Sequence, residues 1–98
     1  MSSTIDFKNV LVVGIGLIGG SIIRALKDNS FSGNVYGIDK NKGSVTSAYD
    51  LGFIQNKDTN ISKDLDDLLV IFSVPVLSIE EAISQISSIL NAKNILYT

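Results

Sequence analysis

The sequence predicts an α/β fold in which helices cover a mainly parallel sheet in a three-layer sandwich. Short continuous apolar runs, typical of strands buried on both faces, alternate with segments whose apolar residues recur at helical spacing. Strands that alternate with helices in this way form βαβ units. At 98 residues, the whole chain 1–98 fits one domain.

The first predicted unit spans two strands and one helix. Residues 10–13 form an apolar run that ends at Gly14, and residues 17–27 carry apolar side chains on one helical face. Residues 34–38 predict the second strand. A crossover between parallel strands is right-handed in nearly all proteins, so the two strands are expected side by side.

The middle of the chain predicts weaker elements. Residues 42–51 read as a helix that stops at Gly52, residues 53–54 as a short edge strand, and residues 55–63 as a polar loop.

The last third predicts a strand, a helix and a strand. Residues 68–74 form an apolar strand that Pro75 ends, and an apolar stripe from 79 to 90 predicts a helix. Ser78 and Glu81 have the spacing of a capping box at its start, with Leu77 placed to pack on Ala82. Residues 94–97 predict a fifth strand. The expected strand order is 3-2-1-4-5.

Composition excludes several classes of function. The net charge of −2 provides no basic stripe, so we expect no nucleic-acid partner. The chain has neither cysteine nor histidine, so we expect no disulfide, no thiolate nucleophile and no metal site. The apolar stretch 10–23 is too short to span a bilayer and is interrupted by glycines. We therefore expect no membrane partner and a cytoplasmic protein.

A glycine pattern follows the first strand and opens the first helix. Glycines stand at positions 14, 16 and 19, and Asp39 ends the second strand, 20 positions after Gly19. This context is what distinguishes a dinucleotide-binding fingerprint from a chance GxGxxG. The pattern therefore predicts a Rossmann-type domain, although the glycines would also suit a plain strand-to-helix turn.

Each glycine has a separate predicted role. Gly14 permits the tight turn, Gly16 lets a diphosphate approach the amides of Leu17 and Ile18, and Gly19 lets the helix pack on the sheet. A helix N-terminus carries roughly half a positive charge and unpaired donors, which favour an anion. Four of the eight glycines lie between positions 14 and 20, a concentration that favours a ligand over the plain turn.

Asp39 sets the expected cofactor. Its carboxylate can accept hydrogen bonds from the adenosine ribose hydroxyls and repels a 2′-phosphate, so NAD is expected in preference to NADP. Lys40 beside it would weaken that preference. Residues 73–75 end the fourth strand near the point where strand order reverses; either their backbone lines the ribose and nicotinamide, or Pro75 only terminates the strand. The candidate cofactor-binding residues are Gly14, Ile15, Gly16, Leu17, Ile18, Gly19, Asp39, Lys40, Ser73, Val74 and Pro75.

The chain resembles the prephenate and arogenate dehydrogenases, a family in the 6-phosphogluconate-dehydrogenase-like group. The resemblance rests on residues 13–21 (VGIGLIGGS) and on segments at matching intervals, 36–39, 51–54 and 72–76, and covers nearly the whole chain. It implies an enzyme of tyrosine biosynthesis that oxidatively decarboxylates prephenate to 4-hydroxyphenylpyruvate with NAD or NADP.

The resemblance also implies what this sequence lacks. The family's catalytic histidine, its substrate-binding arginines and its dimer-forming helical domain lie beyond the strand that ends near Thr98. We therefore expect a domain truncated before that helical domain, with no catalytic residue of its own. It would bind NAD without oxidising prephenate or arogenate, and the complete enzyme would be a homodimer. Two alternatives stay open: the cofactor domain of a hydroxyacid dehydrogenase or imine reductase, which often carry Met where Ile18 stands, and a non-catalytic dinucleotide sensor.

Overall fold

Strands and helices alternate along the chain in a computed structural model that describes residues 8–58, 61, 67–74, 79–86 and 95–97. Within these residues there are four strands and three helices. The strands are β1 (Asn9–Val13), β2 (Asn34–Ile38), β3 (Leu68–Phe72) and β4 (Ile95–Tyr97). The helices are α1 (Leu17–Asp28), α2 (Lys42–Asp50) and α3 (Ile79–Ile86).

The four strands form one parallel sheet in the order β2-β1-β3-β4. Val13 at the end of β1 lies opposite both Ile38 and Phe72, so the three strands end at the same level. The chain passes from β1 to β2 on one side and returns to β3 on the other. The loops after β1 and β3 therefore diverge at the edge where ligands bind in open α/β sheets.

Strand β1 forms the centre of two apolar clusters, one on each face of the sheet. Val10 and Val12 pack with buried residues of α1 and α2, such as Ile23 and Val45. Leu11 and Val13 pack into the opposite cluster with β3. Because β1 is buried on both faces, its sequence shows no polar alternation. The predicted α/β Rossmann-type fold is confirmed.

The predicted edge strand at residues 53–54 is wrong: these residues lie in a loop outside β2. The Gln55 amide donates one hydrogen bond to the Val35 carbonyl (2.8 Å). The side chain of Asn56 then takes the place of a strand, since its Oδ1 accepts from the Gly37 amide (2.9 Å) and its Nδ2 donates to the Gly37 carbonyl (2.6 Å). The predicted order 3-2-1-4-5 therefore lacks its predicted strand 3, and the four described strands follow the order of the other four.

The other elements match the predicted ones within a few residues. Helix α1 extends one residue further than predicted, to Asp28, and α2 ends at Asp50. The predicted strand 68–74 ends at Phe72, although the next amide, that of Ser73, still bonds to the Val13 carbonyl (2.8 Å). The capping box that begins at Ser78, with its apolar contact from Leu77, and the apolar stripe past residue 86 lie outside the described residues.

Candidate dinucleotide-binding site

The turn between β1 and α1 depends on Gly14. Its φ of +99° lies in a region that residues with a side chain rarely adopt. A Cβ atom added there would also lie 2.7 Å from Val74 Cγ1 and 2.8 Å from the Ser73 carbonyl oxygen. The Gly14 amide donates to the Ile38 carbonyl (2.7 Å), which ties the turn to β2. The tight turn predicted at this glycine is present.

Gly19 brings the start of α1 directly onto that turn. A Cβ atom added to Gly19 would overlap the Gly14 carbonyl oxygen and lie 2.5 Å from Ser73 Oγ. Gly19 is buried, unlike its neighbours in the first turn of the helix. The close packing predicted for the third glycine of the fingerprint is therefore observed.

The N-terminus of α1 is open. Gly16 is the N-cap, and no side chain among the described residues caps the helix. The amide of Gly20 makes a helical bond to the Gly16 carbonyl (2.8 Å), which leaves the preceding amides of the first turn, including those of Leu17 and Ile18, without a helical acceptor. A Cβ atom added to Gly16 would meet nothing within 4 Å. Donors without a helical partner in the described part of the chain thus border open space at the positive end of a helix dipole.

Asp39 lies beside this helix end, immediately after β2. Its Oδ2 accepts a hydrogen bond from the Ile15 amide (2.6 Å), and its Oδ1 accepts one from the Asn41 amide (2.8 Å). The carboxylate therefore fixes the glycine turn and the start of the next loop at once. An ionised carboxylate has about four lone-pair positions, and the bonds between described residues use two of them.

Ile15 has a structural position that the fingerprint alone does not reveal. Its amide is used by Asp39, and its side chain lies against Gly37, where an added Cβ would come within 2.6 Å of Ile15 Cδ1. Gly37 therefore leaves room for Ile15, and the Ile15 side chain in turn holds the turn against β2.

Ser73 joins the end of β3 to the glycine turn. Its hydroxyl donates to the Gly14 carbonyl (2.6 Å), while Val74 lies half-buried against the same glycine. This bond was not predicted, since 59 residues separate the two partners. Pro75 lies outside the described residues, so the two interpretations of residues 73–75 both remain.

Two polar residues near the turn bond to other protein groups. Lys40 is exposed, and its Nζ lies 3.2 Å from Oε2 of Glu81 on α3. Ser21 donates to the Leu17 carbonyl one turn earlier (2.8 Å), a bond within the helix. The sequence predicted Glu81 only as part of a capping box; its pairing with Lys40 was missed because the two residues lie 41 positions apart and only the fold brings them together.

A cleft of about 700 Å³ begins at the glycine turn and continues between α1 and α2. Its size lies within the usual range of small-molecule sites, about 300–1,000 Å³. Its lining joins the open helix end to the loop after Asp39 and includes Gly16, Leu17, Ser21, Asn41 and Ser44. The glycine motif does not predict this cleft, because the cleft depends on how α2 packs beside α1.

No helix among the described residues is both long and apolar enough to cross a bilayer. The same residues contain no group of three or more acidic, histidine or cysteine side chains placed to hold a metal ion.

Comparisons with known proteins agree on one family. The family model described as "Prephenate dehydrogenase, nucleotide-binding domain" matches residues 22–98. The prephenate dehydrogenase of Bacillus subtilis (strain 168) is 38% identical over 68 residues, which cover 68% of this chain and 18% of that protein.

Two solved structures have the same fold. Prephenate dehydrogenase from A. aeolicus in complex with hydroxyphenyl propionate and NAD+ matches with a TM-score of 0.78 and 32% identity, covering 96% of this chain and 34% of that one. A second structure of the Aquifex aeolicus enzyme matches with a TM-score of 0.75 and 34% identity over 91% of this chain and 33% of that one. The chain thus spans about a fifth to a third of these relatives. It belongs to the family of prephenate dehydrogenase nucleotide-binding domains.

Proposed function

We propose that this chain binds NAD and serves as the cofactor domain of a prephenate dehydrogenase. The observation that carries the proposal is the uncapped N-terminus of α1, which opens onto free space at Gly16 and has the Asp39 carboxylate beside it. Family membership supports it, as does the Aquifex relative that was solved with NAD+. Membership of this family also disfavours the hydroxyacid dehydrogenase and imine reductase alternatives.

The diphosphate would lie at the start of α1. The amides of Leu17 and Ile18 would donate to its oxygens, and Gly16 would let them approach because it has no Cβ. Hydrogen bonds to a charged acceptor contribute about 1.5–3 kcal/mol each. The Ile15 amide is already bonded to Asp39, so we assign Ile15 the role of shaping the turn.

The adenosine ribose would lie at Asp39. The two carboxylate positions not used by Ile15 and Asn41 would accept bonds from the ribose hydroxyls. The same negative charge would repel a 2′-phosphate, so NAD would bind more tightly than NADP. Lys40, one residue further on, is the cation placed to reduce that difference.

The segment after β3 would line the other half of the cofactor. The Ser73 hydroxyl is bonded to Gly14, so Ser73 would face NAD through its backbone, together with Val74 and Pro75. Bound NAD would supply a hydride acceptor. The chain's own residues would hold the dinucleotide at this edge of the sheet and orient it.

The complete enzyme would oxidatively decarboxylate prephenate, or arogenate, as its family does. The chain spans about a third of its solved neighbours and contains no histidine. We therefore propose that the groups that contact the substrate belong to the part those relatives have in addition. The homodimer and the cytoplasmic location expected from the sequence stay predictions; light scattering on the complete polypeptide would test the first.

Isothermal titration calorimetry of this chain with NADH tests the cofactor proposal. We expect saturable binding, and we expect Gly16→Ala to weaken it by roughly tenfold or more, because losing one charge-assisted bond costs at least about 1.4 kcal/mol. Gly16 has a φ of −96°, so alanine fits the backbone and the variant should fold.

Gly20→Ala is the matched control. Its added Cβ would also meet nothing within 4 Å, but its amide is already bonded to Gly16 within the helix. Gly20 also lines the cleft between α1 and α2, so this variant should weaken NADH binding clearly less than Gly16→Ala does. If the parent chain is folded by circular dichroism and millimolar NADH or NADPH produces no heat, the proposal is wrong.

A further inference from the structure

We infer that Glu81 is a specificity-determining residue of the proposed cofactor site, acting through Lys40. This inference rests on the proposed function. Glu81 holds the Lys40 ammonium at 3.2 Å and thereby withholds its positive charge from a 2′-phosphate on the ribose at Asp39. The pair would thus sharpen the preference for NAD over NADP, which Asp39 alone establishes.

The backbone around Lys40 is fixed next to the ribose position. Asp39 is bonded to the glycine turn through Ile15, and the amide of Asn41 bonds back to the Asp39 carboxylate. Lys40 lies between these two anchored residues, so its backbone has little freedom. Its long side chain can still adopt different rotamers, and in the structure it extends toward α3.

The ion pair links the two segments on either side of the glycine turn. Lys40 follows β2 and Glu81 lies on the helix after β3, while β1 and its turn lie between these strands in the sheet. The contact joins two residues 41 positions apart that the sheet order brings together.

Other described cations near the site have other contacts, although Arg24 also lines the cleft between α1 and α2. Lys42 borders a separate small cavity that Lys57 and Asp58 also line. Arg24 and Lys27 lie over the ring of Phe53, at 5.7 and 5.6 Å from its centroid. Among the described cations, Lys40 is the one adjacent in sequence to Asp39, so its release would matter for a charge added there.

The size of the effect follows from exposure. The two side chains are 65% and 58% exposed, so water and salt screen the pair. Exposed pairs shift an equilibrium by on the order of two- to fivefold. Loss of Glu81 would leave the Lys40 ammonium free to pair with a 2′-phosphate, which favours NADPH. NADH has no 2′-phosphate, so its binding should change little.

The test compares NADH and NADPH dissociation constants for four forms of the chain: the parent, Glu81→Gln, Lys40→Gln and the double variant. We expect Glu81→Gln to tighten NADPH binding by about two- to fivefold with NADH unchanged. Lys40→Gln should weaken NADPH binding, and in its background Glu81→Gln should have a much smaller effect. At high salt the Glu81→Gln effect should shrink.

Glu80→Gln is the matched control, since Glu80 is the preceding residue of α3 and is also exposed. It should leave the ratio of the two affinities unchanged. The inference is overturned if Glu80→Gln and Glu81→Gln shift the ratio equally, or if the Glu81→Gln effect is the same with and without Lys40. If no form binds NADH, the proposed function itself fails; if NADH binds and the ratio does not move, only this inference fails.

Discussion

Gly19 and Gly20 are adjacent in the sequence and differ completely in their surroundings. A side chain on Gly19 would collide with the Gly14 carbonyl, which is backbone and cannot move aside cheaply, and with Ser73 Oγ. A side chain on Gly20 would enter open space. Gly19 is therefore required by packing, and Gly20 is not.

Alanine substitutions should separate the two glycines. Gly19→Ala should destabilise the chain by at least about 1–3 kcal/mol, the usual cost of overpacking a close contact. Gly20→Ala should stabilise it by about 0.5–1 kcal/mol, because alanine is the better helix former. Urea unfolding followed by circular dichroism measures both. A Gly19→Ala variant as stable as the parent would show that α1 does not rest on the turn as described.

At the level of single residues, the sequence predicted the parts of the site that a local pattern specifies. The turn at Gly14 and the close approach at Gly19 follow from the fingerprint, and the structure shows both. The bond from Ile15 to Asp39 and the bond from Ser73 to Gly14 could not be predicted, since their partners are 24 and 59 residues apart. Such contacts depend on how individual groups of neighbouring loops pack against each other, which no local pattern specifies.

Among the elements, the outer edge of β2 shows how a side chain can replace a strand. Asn56 is 6% exposed and satisfies both the amide and the carbonyl of Gly37, and its Nδ2 also donates to the Asp58 carbonyl (2.7 Å). A sheet edge with unpaired backbone groups invites association with another chain. Asn56 blocks that edge locally, at Gly37.

Asn56→Ala should lower the free energy of unfolding more than a typical substitution in a loop does. It leaves the buried amide and carbonyl of Gly37 without their partner, at about 1–3 kcal/mol per unsatisfied group. Gln55→Ala is the control, because that side chain is exposed and only its backbone bonds to β2; it should change stability by less than about 0.5 kcal/mol. Urea unfolding gives both values, and faster hydrogen exchange at the Gly37 amide should accompany the first. Equal stability of the two variants would contradict this account of the edge.

The elements that the sequence predicted best are those with a strong apolar signal. Strand β2 (Asn34–Ile38) has the predicted bounds, and α1 differs by one residue at its C-terminus. The error at residues 53–54 has a clear cause: Ile54 is buried like a strand residue, but it reaches the core from a loop. Burial alone does not distinguish the two cases.

For the whole molecule, alternation of strands and helices was enough to predict a parallel sheet with its binding edge at the carboxyl ends of the strands. The handedness of crossovers limits how such units connect. The pairing of Lys40 with Glu81 and the cleft between α1 and α2 were beyond sequence reasoning, because both depend on how separate units pack. The sequence thus predicted the position of a dinucleotide site, but it did not predict the Lys40–Glu81 pair or the cleft beside that position.

The proposed separation of cofactor binding from catalysis can be tested at this scale. We expect this chain to bind NADH without forming NADH from NAD and prephenate, whereas a complete polypeptide that contains it should form NADH at an ordinary enzymatic rate. Absorbance of NADH measures the reaction, and binding in the same buffer shows that the chain is folded. NADH production that depends on prephenate with this chain alone would place catalytic groups within these residues.

The two bonds accepted by Asp39 have a consequence for how quickly a cofactor can associate. Because the carboxylate already clamps the turn through Ile15, the helix end is set in its receptive shape before any ligand arrives. The conformational entropy of that loop is lost when the chain folds, so ordering the loop does not weaken ligand binding. Encounter should then proceed in one kinetic phase, limited by diffusion and orientation, with no slow rearrangement of the turn.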